Sequence, residues 1–131
     1  MLIISQEAFD EMAALRRVDS EVPFIIKNIR ERGDPLAQSL PSETLNHEVR
    51  ATLDVCNRLG LVSDVDRLTF SMLEITCFAG LRELPKLGGL LNYAGGTPDA
   101  RVQALLEKMP PPVWMQLSQG AVDVRAKRGW A

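Results

Sequence analysis

Apolar residues recur along most of the chain at the three- and four-residue spacing that buries one face of an α-helix. The pattern is clearest after Ser20, where the positions i, i+3, i+4 and i+7 are Val22, Ile25, Ile26 and Ile29. Alternation of apolar and polar residues, which indicates a half-buried strand, lasts more than a few positions only over residues 122–127. The contrast predicts an all-α fold, a single-domain helical bundle of about six to seven helices.

Capping residues and helix breakers predict where these helices begin and end. A hydroxyl side chain before an apolar run can accept a hydrogen bond from a free amide of the first turn, whereas glycine commonly follows the last turn. The predicted starts are Ser5, Ser20, Ser42, Ser63 and Thr97 with Pro98 after it, and the predicted ends are Gly33 and Gly60. The first helix is predicted over residues 6–17. Ser63 also has Asp66 three residues on, which is the spacing of a capping box.

The fourth predicted helix, over residues 64–79, is apolar on most of its sides. One predicted face carries Val65, Leu68, Met72, Ile75 and Ala79, and another carries Phe70, Leu73 and Cys77. A helix with so much apolar surface is expected in the middle of a bundle.

The segment that follows is less stable as a helix. Pro85 fits the first turn of a short leucine-rich helix. Gly88 and Gly89, however, each cost about 1 kcal/mol relative to alanine in a helix interior. We therefore expect residues 83–96 to be mobile or to be ordered by a partner.

Three consecutive prolines, residues 110–112, interrupt the helical pattern, because proline lacks an amide hydrogen and restrains the residue before it. They divide the chain into a helical bundle over residues 1–109 and a C-terminal segment over residues 110–131. This segment is predicted to be a seventh helix, or a docked arm, extended after Gly120, whose order depends on a partner.

Composition narrows the classes of function. Apolar residues make up 46% and charged residues 24% of the 131 residues, which is the balance of an ordinary globular domain. The net charge is −2 with acids and bases interspersed, which argues against nucleic acid as a partner. The N-terminus lacks the positive region of a secretory signal, and no apolar run is long enough for a bilayer, so we expect a cytoplasmic protein without a membrane partner. Cys56 and Cys77 are expected to be reduced thiols in the core.

Residues for independent catalysis are sparse. His47 is the only histidine and lies in a polar stretch, whereas a serine or cysteine nucleophile needs a base within hydrogen-bond reach. Neither C-x-x-C nor H-x-x-x-H spacing occurs. The glycine pairs at residues 88–89 and 95–96 are not followed by the Gly-Lys-Ser/Thr of a phosphate-binding loop. The sequence therefore predicts a protein that is not an enzyme and that uses no cofactor and no metal.

Large apolar side chains in the C-terminal half favour a protein-binding role. Trp114 and Met115 follow the proline break, and Trp130 is next to the C-terminus, where a small bundle has difficulty covering such side chains. With the apolar positions of residues 83–96, they give the predicted partner-binding residues, which are Leu84, Leu87, Tyr93, Trp114, Met115 and Trp130.

The junction between the third and fourth predicted helices resembles that of a known family. The motif is the run of residues 55–70, in which a helix is followed by a Gly60-to-Ser63 cap, then Asp64-Val65, and then the aromatic Phe70. It is accompanied by Ile3, Ile4, Ser5 and Gln6 near the N-terminus. Over residues 3–80 the chain resembles small helical proteins encoded in bacterial type VI secretion gene clusters. Beyond Gly80 it departs from their pattern, because residues 83–87 stand where those proteins continue into an acidic loop that ends in Pro-Trp.

The resemblance implies a non-enzymatic accessory protein of the bacterial cytoplasm, a co-chaperone or adaptor partner for a type VI secretion effector or its loading adaptor. Two other functions fit the same sequence. The first is an immunity protein that binds and neutralises a cognate toxin. The second is a small-ligand-binding bundle, whose pocket would be lined by Cys56, Met72, Cys77 and Tyr93.

Overall fold

The computed structural model of the chain describes residues 20–130. Within this range the regular elements are all helical and strands are absent, which confirms the predicted all-α bundle. The α-helices are α1 over residues 20–32, α2 (Pro35–Ser39), α3 (Ser42–Leu59), α4 (Asp64–Met72), α5 (Leu87–Ala94), α6 (Arg101–Lys108) and α7 (Pro111–Lys127). A π-helical turn, Leu73–Cys77, follows α4 directly, and a 3-10 turn, Leu81–Glu83, precedes α5. The predicted helix over residues 6–17 and its Ser5 cap lie outside the described residues.

Two hydrophobic clusters form the core of the described chain. The first joins α1, α2, the first half of α3 and the π turn, and its buried residues include Val22, Ile25, Ile29, Leu45, Val49, Leu53 and Ile75. The second joins the end of α3 to α4, α5 and α6, and it includes Cys56, Leu61, Phe70, Leu81, Leu87, Leu91, Val102 and Leu105. Because α3 and α7 contribute buried residues to both clusters, these two helices connect the halves of the bundle.

Local capping signals set the end of α3 and the start of α4, as the sequence predicts. Gly60 has φ of 74°, and the next amide, that of Leu61, donates to the carbonyl of Cys56 at 2.9 Å. The Ser63 hydroxyl accepts a hydrogen bond from the Asp66 amide at 3.0 Å. Both predictions are confirmed, because each depends on residues that are neighbours in the sequence.

Two of the other predicted serine caps are displaced. Ser20, the first described residue, is itself helical. Ser42 is the first residue of α3, and Pro41 occupies the capping position before it.

The start of α6 depends on a distant residue. The two carboxylate oxygens of Asp66, in α4, accept hydrogen bonds from the amides of Val102 at 2.9 Å and Arg101 at 3.2 Å. A carboxylate at the amino end of a helix also complements the helix dipole. The prediction that Thr97 and Pro98 begin this helix is therefore wrong, since α6 starts where the buried Asp66 supplies acceptors.

The π turn changes which residues of the fourth predicted helix are buried. Its wider i→i+5 spacing means that residues before and after it no longer share the faces that a continuous α-helix would give. Val65 is 64% exposed and Cys77 is also exposed, so the predictions that both face the core are wrong. Asp66 and Arg67 are buried instead, and both have hydrogen-bond partners.

The C-terminal segment forms one helix that packs on the bundle. α7 runs through Gly120 to Lys127, so the predicted extension after Gly120 is wrong. Gly129 has φ of 77° and reverses the chain, and the amide of Trp130 donates to the carbonyl of Arg125 at 2.9 Å. Trp130 is consequently buried in the first cluster.

A buried carboxylate holds the elements around the π turn together. Glu74 is fully buried and accepts a charge-assisted hydrogen bond from Arg128 at 2.6 Å. Its two oxygens also accept from the backbone amides of Gly80, at 3.2 Å, and Arg82, at 3.1 Å. Burial raises the pKa of Glu74, while Arg128 and Arg82 act in the opposite direction. Burial of this charge therefore costs free energy, and the hydrogen bonds from its donors offset that cost.

The same cluster extends to α3 and to the surface. The guanidinium of Arg82 is 2.8 Å from Glu48 of α3 and donates to the hydroxyl of Thr52 at 3.1 Å. Arg128 also contacts the exposed Glu83 at 2.6 Å, which lowers the pKa of that carboxyl. We call Glu48, Glu74, Arg82 and Arg128 the central ion cluster. It joins α3, the π turn, the 3-10 turn and the C-terminus.

We predict that Glu74→Gln lowers the free energy of unfolding by about 3 kcal/mol, because it removes the buried carboxylate that Arg128 and Arg82 share and turns an amide donor toward the Arg82 amide. Glu83→Gln is the matched control, since it removes an exposed carboxylate from the same Arg128 and should cost under about 1 kcal/mol. Urea unfolding of both variants measures the difference. Equal small losses would contradict the role given to Glu74.

Candidate functional site

An open groove of about 240 Å³ lies between the C-terminal half of α3 and the start of α5. We call it the α3–α5 groove. Its lining residues are Val55, Arg58, Leu59, Arg82, Leu84, Lys86, Leu87 and Gly88. In the part of the chain that the structure describes, this lining combines four apolar side chains with three cations and contains no carboxylate.

The floor of the groove is apolar and continuous with the second cluster. Leu87 is buried in that cluster, and Val55, Leu59 and Leu84 are half-buried against it. On the α5 side, backbone without a side chain forms the wall at Gly88, where an added Cβ would lie 3.8 Å from Leu59. The groove therefore offers apolar contact to any side chain that enters it.

The three cations differ in how they are paired. Arg82 belongs to the central ion cluster and is held by Glu48 and Thr52. Arg58 and Lys86 are exposed, and no carboxylate of residues 20–130 forms an ion pair with either. The rim of the groove thus carries two positive charges that the described fold does not neutralise.

Lys86 has an unfavourable backbone conformation. Its φ is 65°, and it is the one non-glycine residue within residues 20–130 with a positive φ. This left-handed conformation costs roughly 1 kcal/mol for a residue with a Cβ. Lys86 also precedes the first turn of α5, where a cation opposes the helix dipole. Residues in such unfavourable conformations are often found at binding sites, where the side chain is needed to contact the ligand.

The structure places the six predicted partner-binding residues in different environments. Leu84 and Leu87 line the α3–α5 groove, with Leu87 in its floor. Tyr93 is 76% exposed on α5, and Met115 is 60% exposed on α7. The six therefore differ widely in exposure, from the buried Leu87 to the exposed Tyr93.

The two tryptophans pack on the bundle itself. Trp114 is half-buried, and its ring centroid lies 4.8 Å from that of Phe78. Trp130 is 5% exposed, with the guanidinium of Arg128 5.3 Å from its ring centroid. Trp130 is thus not available at the surface to a partner, because the turn at Gly129 folds it back onto the first cluster.

Sequence reasoning missed the cations of the groove and its α3 wall. Val55, Arg58 and Leu59 stand at i, i+3 and i+4 on one face of α3, so their shared orientation was readable from the sequence. Lys86 gave no such signal, because the sequence predicts Pro85 inside a helix, whereas Pro85 lies in the turn before α5. Whether Arg58 or Arg82 is paired with a carboxylate depends on contacts between segments that are far apart in the chain, and the sequence does not show these contacts.

The candidate residues for other chemistry are dispersed. Cys56 is buried in the second cluster, Met72 packs on the first cluster, and Cys77 and Tyr93 are exposed, so the structure separates the four predicted ligand-pocket residues. Within residues 20–130 no group of three His, Cys, Asp or Glu side chains is placed to hold a metal ion. The helices of that range include none with the length and apolar character to cross a bilayer.

Comparison with known proteins gives no match for the chain. No family model matches it, and neither curated proteins nor solved structures give a match.

Both cysteines are free thiols, and the structure predicts very different reactivity for them. Burial raises the pKa of Cys56 to about 12, whereas Cys77 is exposed. Because the thiolate is the reactive form, iodoacetamide at neutral pH should label Cys77 in the folded protein and Cys56 only after unfolding. Peptide mass spectrometry measures the labelling. Equal labelling of the folded protein at both positions would contradict the burial of Cys56.

We predict that Lys86→Gly raises the free energy of unfolding by about 0.5–1 kcal/mol, because glycine adopts a positive φ without the Cβ penalty. Lys27→Gly is the control, since Lys27 is exposed in α1 with ordinary helical geometry and its replacement should cost about 1 kcal/mol. Thermal or urea unfolding compares the two. A loss of stability in Lys86→Gly would show that Lys86 is not strained.

Proposed function

We propose that the chain is a non-enzymatic accessory protein that binds a segment of another protein in the α3–α5 groove. The observation that carries this proposal is an apolar floor, formed by Val55, Leu59, Leu84 and Leu87, together with two rim cations that no carboxylate of residues 20–130 pairs. Protein interfaces commonly have this arrangement, an apolar centre with a polar edge.

The size of the groove favours part of a protein over a small ligand. Pockets for small molecules commonly occupy about 300–1,000 Å³ and bury most of the ligand. The α3–α5 groove measures about 240 Å³ and is open to solvent. It suits apolar side chains that project from a larger partner whose remaining contacts lie outside it.

The partner we propose is a bacterial type VI secretion effector or its loading adaptor, in the cytoplasm. This rests on the resemblance over residues 3–80. The groove takes Val55, Arg58 and Leu59 from within that range and residues 82–88 from beyond it. A partner that binds here would thus contact one side of the groove that lies within the range of the resemblance and one side that lies beyond it.

We predict that Gly88→Gln blocks partner binding and that Gly89→Gln does not. Both positions are helical in α5, so both changes improve helix propensity, by up to about 1 kcal/mol. An added Cβ at Gly88 stands beside Leu59 in the groove, whereas at Gly89 no heavy atom lies within 4 Å. Comparison of the two variants therefore distinguishes an effect of blocking the groove from an effect of stabilising α5.

The measurement is affinity capture of the full tagged chain after cross-linking in the bacterium that encodes it, with quantitative mass spectrometry. The wild type and Gly89→Gln should retain the same secretion effector or adaptor, and Gly88→Gln should lose it by about tenfold or more, about 1.4 kcal/mol. Equal thermal transitions establish that both variants fold. Retention of that protein by all three would place its binding elsewhere and contradict the proposal.

A further inference from the structure

We infer that the segment bound in the α3–α5 groove is acidic, with an apolar side chain that enters the groove and Asp or Glu residues beside it that reach Arg58 and Lys86. This inference rests on the proposed function and names the chemistry of the partner.

Charge complementarity carries the inference. Among residues 20–130 the lining contains three cations and no carboxylate, and one of the three, Arg82, is already neutralised by Glu48. The acids nearest in sequence do not neutralise the other two. Glu83 is bound to Arg128, and Asp54, one turn before Arg58 in α3, forms no ion pair with it. Two positive charges thus remain for a partner to complement.

Lys86 supplies a separate reason. A lysine with φ of 65° at the amino end of α5 is unfavourable both for its backbone and for the helix dipole. A carboxylate of the partner next to Lys86 would stabilise this arrangement, since it pairs the ammonium and lies near the positive end of α5. A basic or neutral segment would leave both costs in place.

The apolar floor distinguishes this partner from a simple anion or a nucleic acid. Two cations are few for a phosphate backbone, whose affinity depends on the number of phosphates neutralised. Four apolar side chains form the rest of the wall and offer nothing to phosphate or sugar. An acidic peptide with an apolar anchor uses both parts of the lining.

The test selects random displayed peptides of about a dozen residues on the full chain. The enriched peptides should have a net negative charge and at least one large apolar residue. One of them is then synthesised in three forms, which are the selected sequence, a form with its acids changed to amides, and a form with its apolar residue changed to serine. Fluorescence polarisation measures the affinity of each for the full chain.

The variant Arg58→Gln/Lys86→Gln should bind the selected peptide about tenfold more weakly than the wild type. Lys27→Gln/Lys108→Gln is the charge-matched control, because it removes two exposed cations from α1 and α6, and it should bind like the wild type. The amide form should lose affinity by a similar factor, and salt should weaken the acidic form more than the amide form. The serine form should bind weakly.

Four outcomes would overturn the inference. The first two are enrichment of neutral or basic peptides and no enrichment at all. The third is equal binding of the selected and serine forms, which would indicate a simple anion site, and the fourth is an unchanged affinity of Arg58→Gln/Lys86→Gln for the selected peptide. If Gly88→Gln still abolishes binding of peptides that are not acidic, the proposed function survives and the inference fails. If Gly88→Gln binds every peptide as tightly as Gly89→Gln, the proposed function fails as well.

Discussion

The burial of one carboxylate, Glu74, constrains most of this structure. A charge inside a protein is tolerated only where enough donors surround it, and Glu74 receives them from Arg128, from the Gly80 amide and from the Arg82 amide. These donors come from segments that would otherwise be independent. Satisfying Glu74 therefore fixes the 3-10 turn and the C-terminus relative to the π turn.

The groove depends on this constraint. Arg82 is bound to Glu74 through its backbone and to Glu48 through its side chain, so the 3-10 turn is held against α3. Leu84 and Lys86 follow directly along the chain and form one edge of the groove. The buried central ion cluster thus positions the α3–α5 groove at the surface. In the same way Arg128 fixes the end of α7, which brings Trp130 into the first cluster.

The sequence predicts those features that depend on neighbouring residues. The all-α class, the stripe from Val22 to Ile29, the glycine end of α3 and the Ser63 cap all follow from spacing of a few residues. The predictions for the start of α6 and for Trp130 failed because both depend on contacts between residues far apart in the chain. Asp66 begins α6 from 36 residues before Val102, and Arg128 reaches Glu74 across 54 residues.

The candidate site shows the same division between local and distant contacts. The sequence predicts Leu84 and Leu87 as partner-binding residues of a segment that is mobile or ordered by a partner, and both line the groove. Arg58 and Lys86 were missed, because a cation in a sequence carries no sign of whether a carboxylate will meet it. Arg82 is paired with Glu48, whereas Lys86, four positions further on, meets no carboxylate of residues 20–130.

Photo-cross-linking tests whether a protein partner contacts the α3–α5 groove while Arg58 and Lys86 stay in place. A photoreactive amino acid is placed at residue 89, which is exposed beside Gly88 and outside the groove lining, or at residue 122 as the control, where Val122 is 70% exposed on α7. Both full chains are irradiated in the cells that encode the protein. We predict a discrete covalent adduct with another protein from residue 89 and none from residue 122. Adducts of the same protein from both positions, or from residue 122 alone, would contradict this prediction.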